Sequence, residues 1–246
     1  MTISIGFSVA EGIVLCSDRQ HTSSTGFKFE KKKLLRCEHI GGAAMIFSYA
    51  GEREPAEILF GKVYNRLMDD LDPRKPDDHR DPPEVIRDIL EEIFQSSHSE
   101  NLETLIGIRK GWFPCLFRTS ANRVVKGQTE WIGCGDSSVI RFLSDLIPHS
   151  DCTHVEAAIL GSYWIAAANR YIDGCGGGPD AMFLPNQYHS EYNKHPAMSV
   201  GSHFEKAIVD QFEKVIANRI GCFGDIEHKI GEILRQNLLG VEGKEE

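Results

Sequence analysis

Apolar and polar positions alternate from the first residues of the chain. Residues 2–9 and 12–17 are rich in β-branched and aliphatic side chains, and Ala10-Glu11-Gly12 between them predicts a tight hairpin. A polar loop from Gln20 to Gly26 leads to a third strand around 27–37. A fourth, apolar enough to be buried, runs from Ala43 to Tyr49 and ends at Ala50-Gly51. The period then changes. Ile58, Leu59, Val63 and Leu67 recur at helical spacing and predict a helix over 53–71. A Pro- and Asp-rich loop, Leu71 to Pro83, separates it from a second helix over 84–96.

Strands return at 102–109, 113–119 and 122–133, with turns at Lys110-Gly111 and Ala121-Asn122. Helices follow at about 136–147 and 152–172. The latter is apolar nearly all round (Val155, Ala157, Ala158, Ile159, Leu160, Trp164, Ile165, Ala168) and is expected to lie sandwiched inside the domain, its start capped by Ser150 or Asp151. A glycine run at 174–178, a strand at 180–184 and helical segments near 203–219 and 224–239 complete the pattern. With no repeat and no clean linker, residues 1–246 read as one domain with a helical extension at about 200–240. Hairpin-joined strands separated by helix pairs predict the α+β class: stacked antiparallel sheets with helices outside.

Charge and cysteine usage narrow the setting. Thirty-six acidic against 27 Lys and Arg side chains give a net charge of −9, which argues against non-specific nucleic-acid binding by phosphate neutralisation. No apolar run reaches the roughly 18 residues of a membrane span, and Met1-Thr2-Ile3-Ser4 does not open a secretory signal. Seven scattered cysteines without a C-x-x-C fit a reducing compartment, so a cytoplasmic protein is expected. His149, Asp151, Cys152 and His154 are zinc-ligand types, as are Cys37, Glu38 and His39, but neither group has four ligands at finger-like spacing.

Familiar catalytic motifs are missing: no G-x-S-x-G, no H-E-x-x-H and no P-loop. Gly133-Cys134-Gly135-Asp136 stands between a strand and a helix, yet Asp136 puts a carboxylate where an anion would bind. The glycine run at 174–178 follows a helix and precedes a strand, the wrong order for dinucleotide binding.

Thr2 is the informative residue. Removal of Met1 would leave it with a free α-amine, whose reference pKa of about 7.7–8.0 suits it to take the proton of its own hydroxyl. Asp18 ends the second strand, which the hairpin returns beside Thr2. Lys31, Lys32 and Lys33 stand on the third strand, where alternation directs Lys31 and Lys33 to one side and Lys32 to the other. Gly51 ends the fourth strand, where its N–H can meet a developing oxyanion with little obstruction.

These residues resemble the pattern of proteasome β-type subunits among the N-terminal-nucleophile hydrolases, including the bacterial proteasome-like peptidases. That pattern is an N-terminal Thr, a Gly four residues on, an Asp sixteen residues on, a Lys on the next strand and a strand ending in Ala-Gly. Thr2, Gly6, Asp18, Lys33 and Ala50-Gly51 match it, Lys33 being favoured over Lys31 and Lys32 by the apolar Leu34 that follows. Asp173 matches an aspartate that hydrogen-bonds the α-amine, whereas Cys134 and Gly176 stand at two positions where the family has serines.

The resemblance implies a four-layer αββα sandwich and amide-bond hydrolysis of peptide or protein substrates with no metal or organic cofactor. It also implies self-assembly into rings or spirals, with an ATP-driven unfoldase as a partner. Two other roles share the fold: a non-catalytic ring subunit and a small-molecule amidase. A plain α+β binding domain is the alternative outside it.

Overall fold

The opening hairpin forms as β1 (Ile3–Val9) and β2 (Gly12–Ser17), with Val9 opposite Gly12 and Ser4 opposite Ser17. In this computed structural model the described residues are 2–22, 25–38, 43–70, 82–96, 102–110, 113–120, 123–133, 152–171, 175–186 and 198–199. The helices expected at 136–147, 203–219 and 224–239 lie outside them.

The third strand is divided. Gln20–Thr22 (β3), inside the expected loop, pairs with Lys28–Glu30 (β4) as a small separate hairpin, and Leu34–Glu38 (β5) joins a larger sheet. The break falls on Lys31 to Lys33, where Lys33 leaves the strand path and turns inward. Ala44–Ala50 (β6) is buried throughout and is followed by α1 (Arg53–Asp70) and α2 (Pro82–Ser96). On α1 the core stripe is Ala56, Leu59, Val63 and Leu67; Ile58, expected in that stripe, is exposed because it lies one position, or about 100°, off it. Glu103–Lys110 (β7) and Phe113–Ser120 (β8) follow as expected. The segment read as one strand over 122–133 is two, Arg123–Gly127 (β9) and Thr129–Gly133 (β10). At Gln128, whose carbonyl accepts from Ser8 N at 2.6 Å, the chain leaves one sheet for the other.

The long apolar helix is α3 (His154–Tyr171), and β11 (Asp180–Pro185) and β12 (Met198–Ser199) complete the described elements. Its cap is Thr153 rather than Ser150 or Asp151. Thr153 Oγ1 accepts from Glu156 N at 3.3 Å, and Glu156 Oε2 accepts from Thr153 N at 2.9 Å, a reciprocal capping box. His154, one of the metal-ligand types, instead meets Glu11 through Nδ1 at 2.5 Å.

The class is α+β with antiparallel sheets. One sheet has the order β10-β1-β2-β11-β12, the other β5-β6-β7-β8-β9. Ile3, Ile5, Phe7, Val14 and Cys16 pack on Ala157, Trp164 and Ile165 of α3. Met45, Phe47, Ile106 and Phe117 pack on Leu59, Val63, Leu90 and Phe94 of α1 and α2. A third cluster joins Ile13, Leu15 and Ile132 of the first sheet to Ile46, Leu105 and Leu116 of the second. Both faces of β2 and β6 are buried, which is why these two strands read as apolar runs rather than strict alternation. Among the described residues no helix is long and apolar enough to cross a membrane.

Candidate active site

Register brings the chemistry to one end of the sheets. Thr2, buried, stands at the head of β1, and alternation carries it to the same side as Ser4. Asp18 follows directly on β2. Its N–H donates to the Ile3 carbonyl at 3.1 Å, and its Oδ1 accepts from Ile3 N–H at 3.1 Å. The same Oδ1 accepts from Lys33 Nζ at 2.7 Å. One oxygen thus holds both the lysine ammonium and the amide that follows Thr2, placing the two within about 6 Å of each other. Asp18 Oδ2 accepts from Gly176 N at 3.4 Å.

Asp18 and Lys33 are 0% and 1% exposed, so each charge depends on the other. Burial pushes the Asp18 carboxyl above its usual range, while the Lys33 charge and the Lys33, Ile3 and Gly176 donors pull against it. Of the three adjacent lysines, only Lys33 is buried; Lys31 and Lys32 are exposed.

A chain of hydroxyls lies behind this pair. Ser4 Oγ donates to Ser17 Oγ at 2.7 Å and meets Ser48 Oγ at 2.6 Å, and Ser17 Oγ reaches the Asp18 and Ile3 carbonyls at 3.2 and 3.4 Å. All three serines are fully buried. They link β1, β2 and β6, the strands that lead to Thr2, Asp18 and Gly51. Gly51 is exposed between β6 and α1 with φ +130°, a conformation that glycine adopts without steric cost.

On the other side of β1, Gly133 pairs with Ile3 at φ +124°, and a Cβ there would stand 1.8 Å from the Thr2 carbonyl oxygen. Gly133 N donates to Glu103 Oε2 at 2.9 Å. His21 is half-buried, its ring stacked on Phe29 at 5.4 Å and tilted against Tyr49 at 6.3 Å. Burial, then the charges of Lys33 and Arg53, push its pKa down to about 4, so it is neutral at pH 7.

Among the expected residues, Asp18 and Lys33 are in direct contact and bonded to the backbone next to Thr2, while Gly51 ends the strand that carries Ser48. Asp173 and Cys134 lie outside the described residues. At Gly176 a Cβ would stand 2.1 Å from Gln20 Oε1, the far end of a flexible side chain. Sequence reasoning missed Ser4, Ser17, Ser48, His21 and Glu103, and it read Gly133 only as part of a turn. All three serines carried a signal, being polar positions within largely apolar strands; that Ser48 meets Ser4 across the two sheets did not show in the sequence.

No family model and no curated protein matches the sequence. Solved structures do. The chain is similar to Anbu from Yersinia bercovieri, described as an ancestral beta-subunit, with TM-score 0.68 and 14% identity over 89% of this chain and 96% of that one. It is similar to a Gly-1 mutant of Anbu from Hyphomicrobium sp. strain MC1, with TM-score 0.67 and 13% identity over 90% and 97%. A helical assembly of the Anbu complex from Pseudomonas aeruginosa matches with TM-score 0.59 and 13% identity over 89% and 95%. These neighbours correct the resemblance drawn from the sequence: the likeness is to Anbu, not to a proteasome β-type subunit as such. At this identity the likeness establishes the fold alone.

Proposed function

We propose that the chain is an N-terminal threonine hydrolase that cleaves amide bonds in peptides, built as a single domain with an αββα layer order. The observation that carries this reading is the buried Lys33–Asp18 pair fastened to the amide after Thr2. A buried ion pair adds little net stability over apolar packing, so its place beside a threonine at a strand head supports a chemical use.

With Thr2 as first residue, its α-amine takes the hydroxyl proton, directly or through a water, and Oγ attacks the substrate carbonyl. Gly51 N–H receives the oxyanion, and the amine passes the proton to the leaving nitrogen as the acyl ester forms. Water then attacks the ester with the same amine as base. The Lys33 ammonium favours the deprotonated amine and the developing oxygen charge, and Asp18 fixes the ammonium. No metal or organic cofactor takes part in these steps.

The Pseudomonas aeruginosa Anbu assembly supports self-association of this chain as well, into a ring or spiral. An ATP-driven unfoldase would serve folded substrates; short peptides need none. A non-catalytic role in such an assembly is the second reading, favoured by the glycine at 176 where the family pattern has a serine.

Mass analysis of the mature N-terminus, labelling by a threonine-directed electrophile and turnover of an unbiased amide-substrate panel test the proposal together. Expected are Thr2 as first residue, one label per chain on it, and peptide turnover abolished in Thr2→Ala. Retained Met1, or equal turnover by Thr2→Ala, ends the proposal. Turnover confined to small amides redirects it to an amidase. Native mass reads the assembly.

A further inference from the structure

At the end of the inter-sheet layer where Thr2 stands, the facing surfaces turn from apolar to charged. Leu105 and Leu116 belong to the inter-sheet core, so alternation puts Glu103, Arg118 and Ser120 on that same side of β7 and β8. Across the strand pair, Arg118 is opposite Val125 and Ser120 is opposite Arg123. With Glu130 of β10, these four residues line a cleft of about 520 Å³. It opens to solvent because β9 and β10 are the terminal strands of their two sheets.

The cleft holds unused donors. Arg118 Nε is shut off from water and has no hydrogen-bond partner among the described residues. The ion pairs from Arg118 to Glu103 and Glu130 are 3.6 and 4.0 Å long, beyond hydrogen-bond range. Glu103 is already committed: it accepts from Ser120 Oγ at 2.9 Å and from Gly133 N at 2.9 Å. Arg123, exposed, is the diagonal neighbour of Arg118, about 7–8 Å away along the sheet. Two arginines rooted at that separation can bring their guanidinium groups to one planar carboxylate, each donating N–H groups. Val125, 49% exposed, offers an apolar surface for the methylenes that carry it.

We propose that this cleft is a recognition subsite for a carboxylate borne by an extended peptide, seated between Arg118 and Arg123. The inference rests on the peptide-hydrolase reading and extends it to substrate choice. Glu103 joins the cleft wall at Ser120 to Gly133, whose strand partner Ile3 follows Thr2. From the end of β6, where Gly51 follows, to Arg123 on β9 is three strand spacings, about 14 Å, or roughly four residues of extended peptide.

The test is fluorescence-polarisation binding to full-length Thr2→Ala protein, which keeps the cleft and removes the proposed nucleophile. Three labelled hexapeptides serve as probes: one amide-capped with an internal Glu, its Gln counterpart, and the Gln peptide with a free C-terminus. The Glu peptide is expected to bind at least tenfold tighter than the capped Gln peptide, with the preference falling steeply in 0.5 M salt. Arg123→Gln, at an exposed position, should reduce the preference several-fold, and Arg118→Gln/Arg123→Gln should bring the two peptides to parity. Tight binding of the free-C-terminus probe alone assigns the site to a terminal carboxylate and still supports it. Equal affinity for all three probes, or an unchanged preference in Arg123→Gln, overturns it. Because binding is read without turnover, a preference for Glu together with no electrophile labelling of Thr2 in the wild-type protein would sink the hydrolase reading and leave the cleft standing.

Discussion

Replacing Lys33 with Met removes an ammonium and keeps nearly the same volume. At 2.7 Å from Asp18 and an effective dielectric near 20, the lost attraction is about 6 kcal/mol. Removing one charge also lifts its own desolvation cost, so the net effect on folding follows from what stays behind: a carboxylate with no exposed surface, held among the described residues by the Ile3 and Gly176 N–H groups. Breaking a buried pair in this way costs about 3–5 kcal/mol. With a urea m-value of about 3 kcal/mol/M, the unfolding midpoint should fall by a little over 1 M. Adding Asp18→Asn should restore most of that loss, because the Asn oxygen still accepts from Ile3 N–H and no buried charge is left. The cycle of wild type, Lys33→Met, Asp18→Asn and the double variant should give a coupling of about 3 kcal/mol. Electrophile labelling of Thr2 should stay absent in the double variant although its stability returns. A Lys33→Met midpoint within 0.2 M of wild type, measured by circular dichroism and Trp fluorescence, would refute the argument from burial.

Gly133→Ala forces a Cβ to 1.8 Å from the Thr2 carbonyl at φ +124°; it should lose about 2–4 kcal/mol in urea melts and at least tenfold in the labelling rate of Thr2. Ser48→Ala takes away the inter-sheet partner of Ser4 and should cost about 1–2 kcal/mol with a slower labelling rate. Thr104→Val/Thr119→Val, which replaces both members of a separate buried hydroxyl pair, should leave labelling unchanged. His21 has a folded pKa near 4, below the ordinary 6.5 of an unfolded chain, so the unfolded state binds more protons between these values. Its contribution to stability is present above about pH 6.5 and is lost as the pH falls toward 4; His21→Phe should flatten that part of the stability–pH curve in melts at pH 7 and 5.

Much of the fold is legible in the sequence because its signals are local. The β1–β2 hairpin, the buried β6 and the apolar α3 each follow from composition and period within a dozen residues. The errors fall where a tertiary demand overrides the local one. Residues 27–37 look like one strand, but the burial of Lys33 against Asp18 interrupts it. Residues 122–133 look like one strand, but its two halves serve different sheets. Ile58 is as apolar as Leu59, yet α1 has one stripe to bury and Leu59 takes it. At the site, Asp18 and Lys33 are recognisable because their spacing from Thr2 follows a short motif. The hydroxyl chain is not, because Ser48 is 44 residues from Ser4 and meets it only when two sheets stack.

That asymmetry bears on how the site is held. Between the sheets, Ile13, Leu15, Ile46, Leu105 and Leu116 form an apolar layer that tolerates exchange of like volumes. At one end the layer turns polar in three successive places: the Asp18–Lys33 pair, the Ser4–Ser17–Ser48 chain, and Glu103 bridging Ser120 to Gly133. Each group there is directional and each loses hydration, so a shift of either sheet breaks bonds that the apolar layer would not register. The polar end therefore fixes the relative position of β1, β2, β6 and β10, while the apolar middle supplies the driving force for stacking. Thr2, Gly51 and the Arg118–Arg123 cleft all depend on that alignment, and a variant that loosens it should lose labelling and peptide preference before it loses the fold.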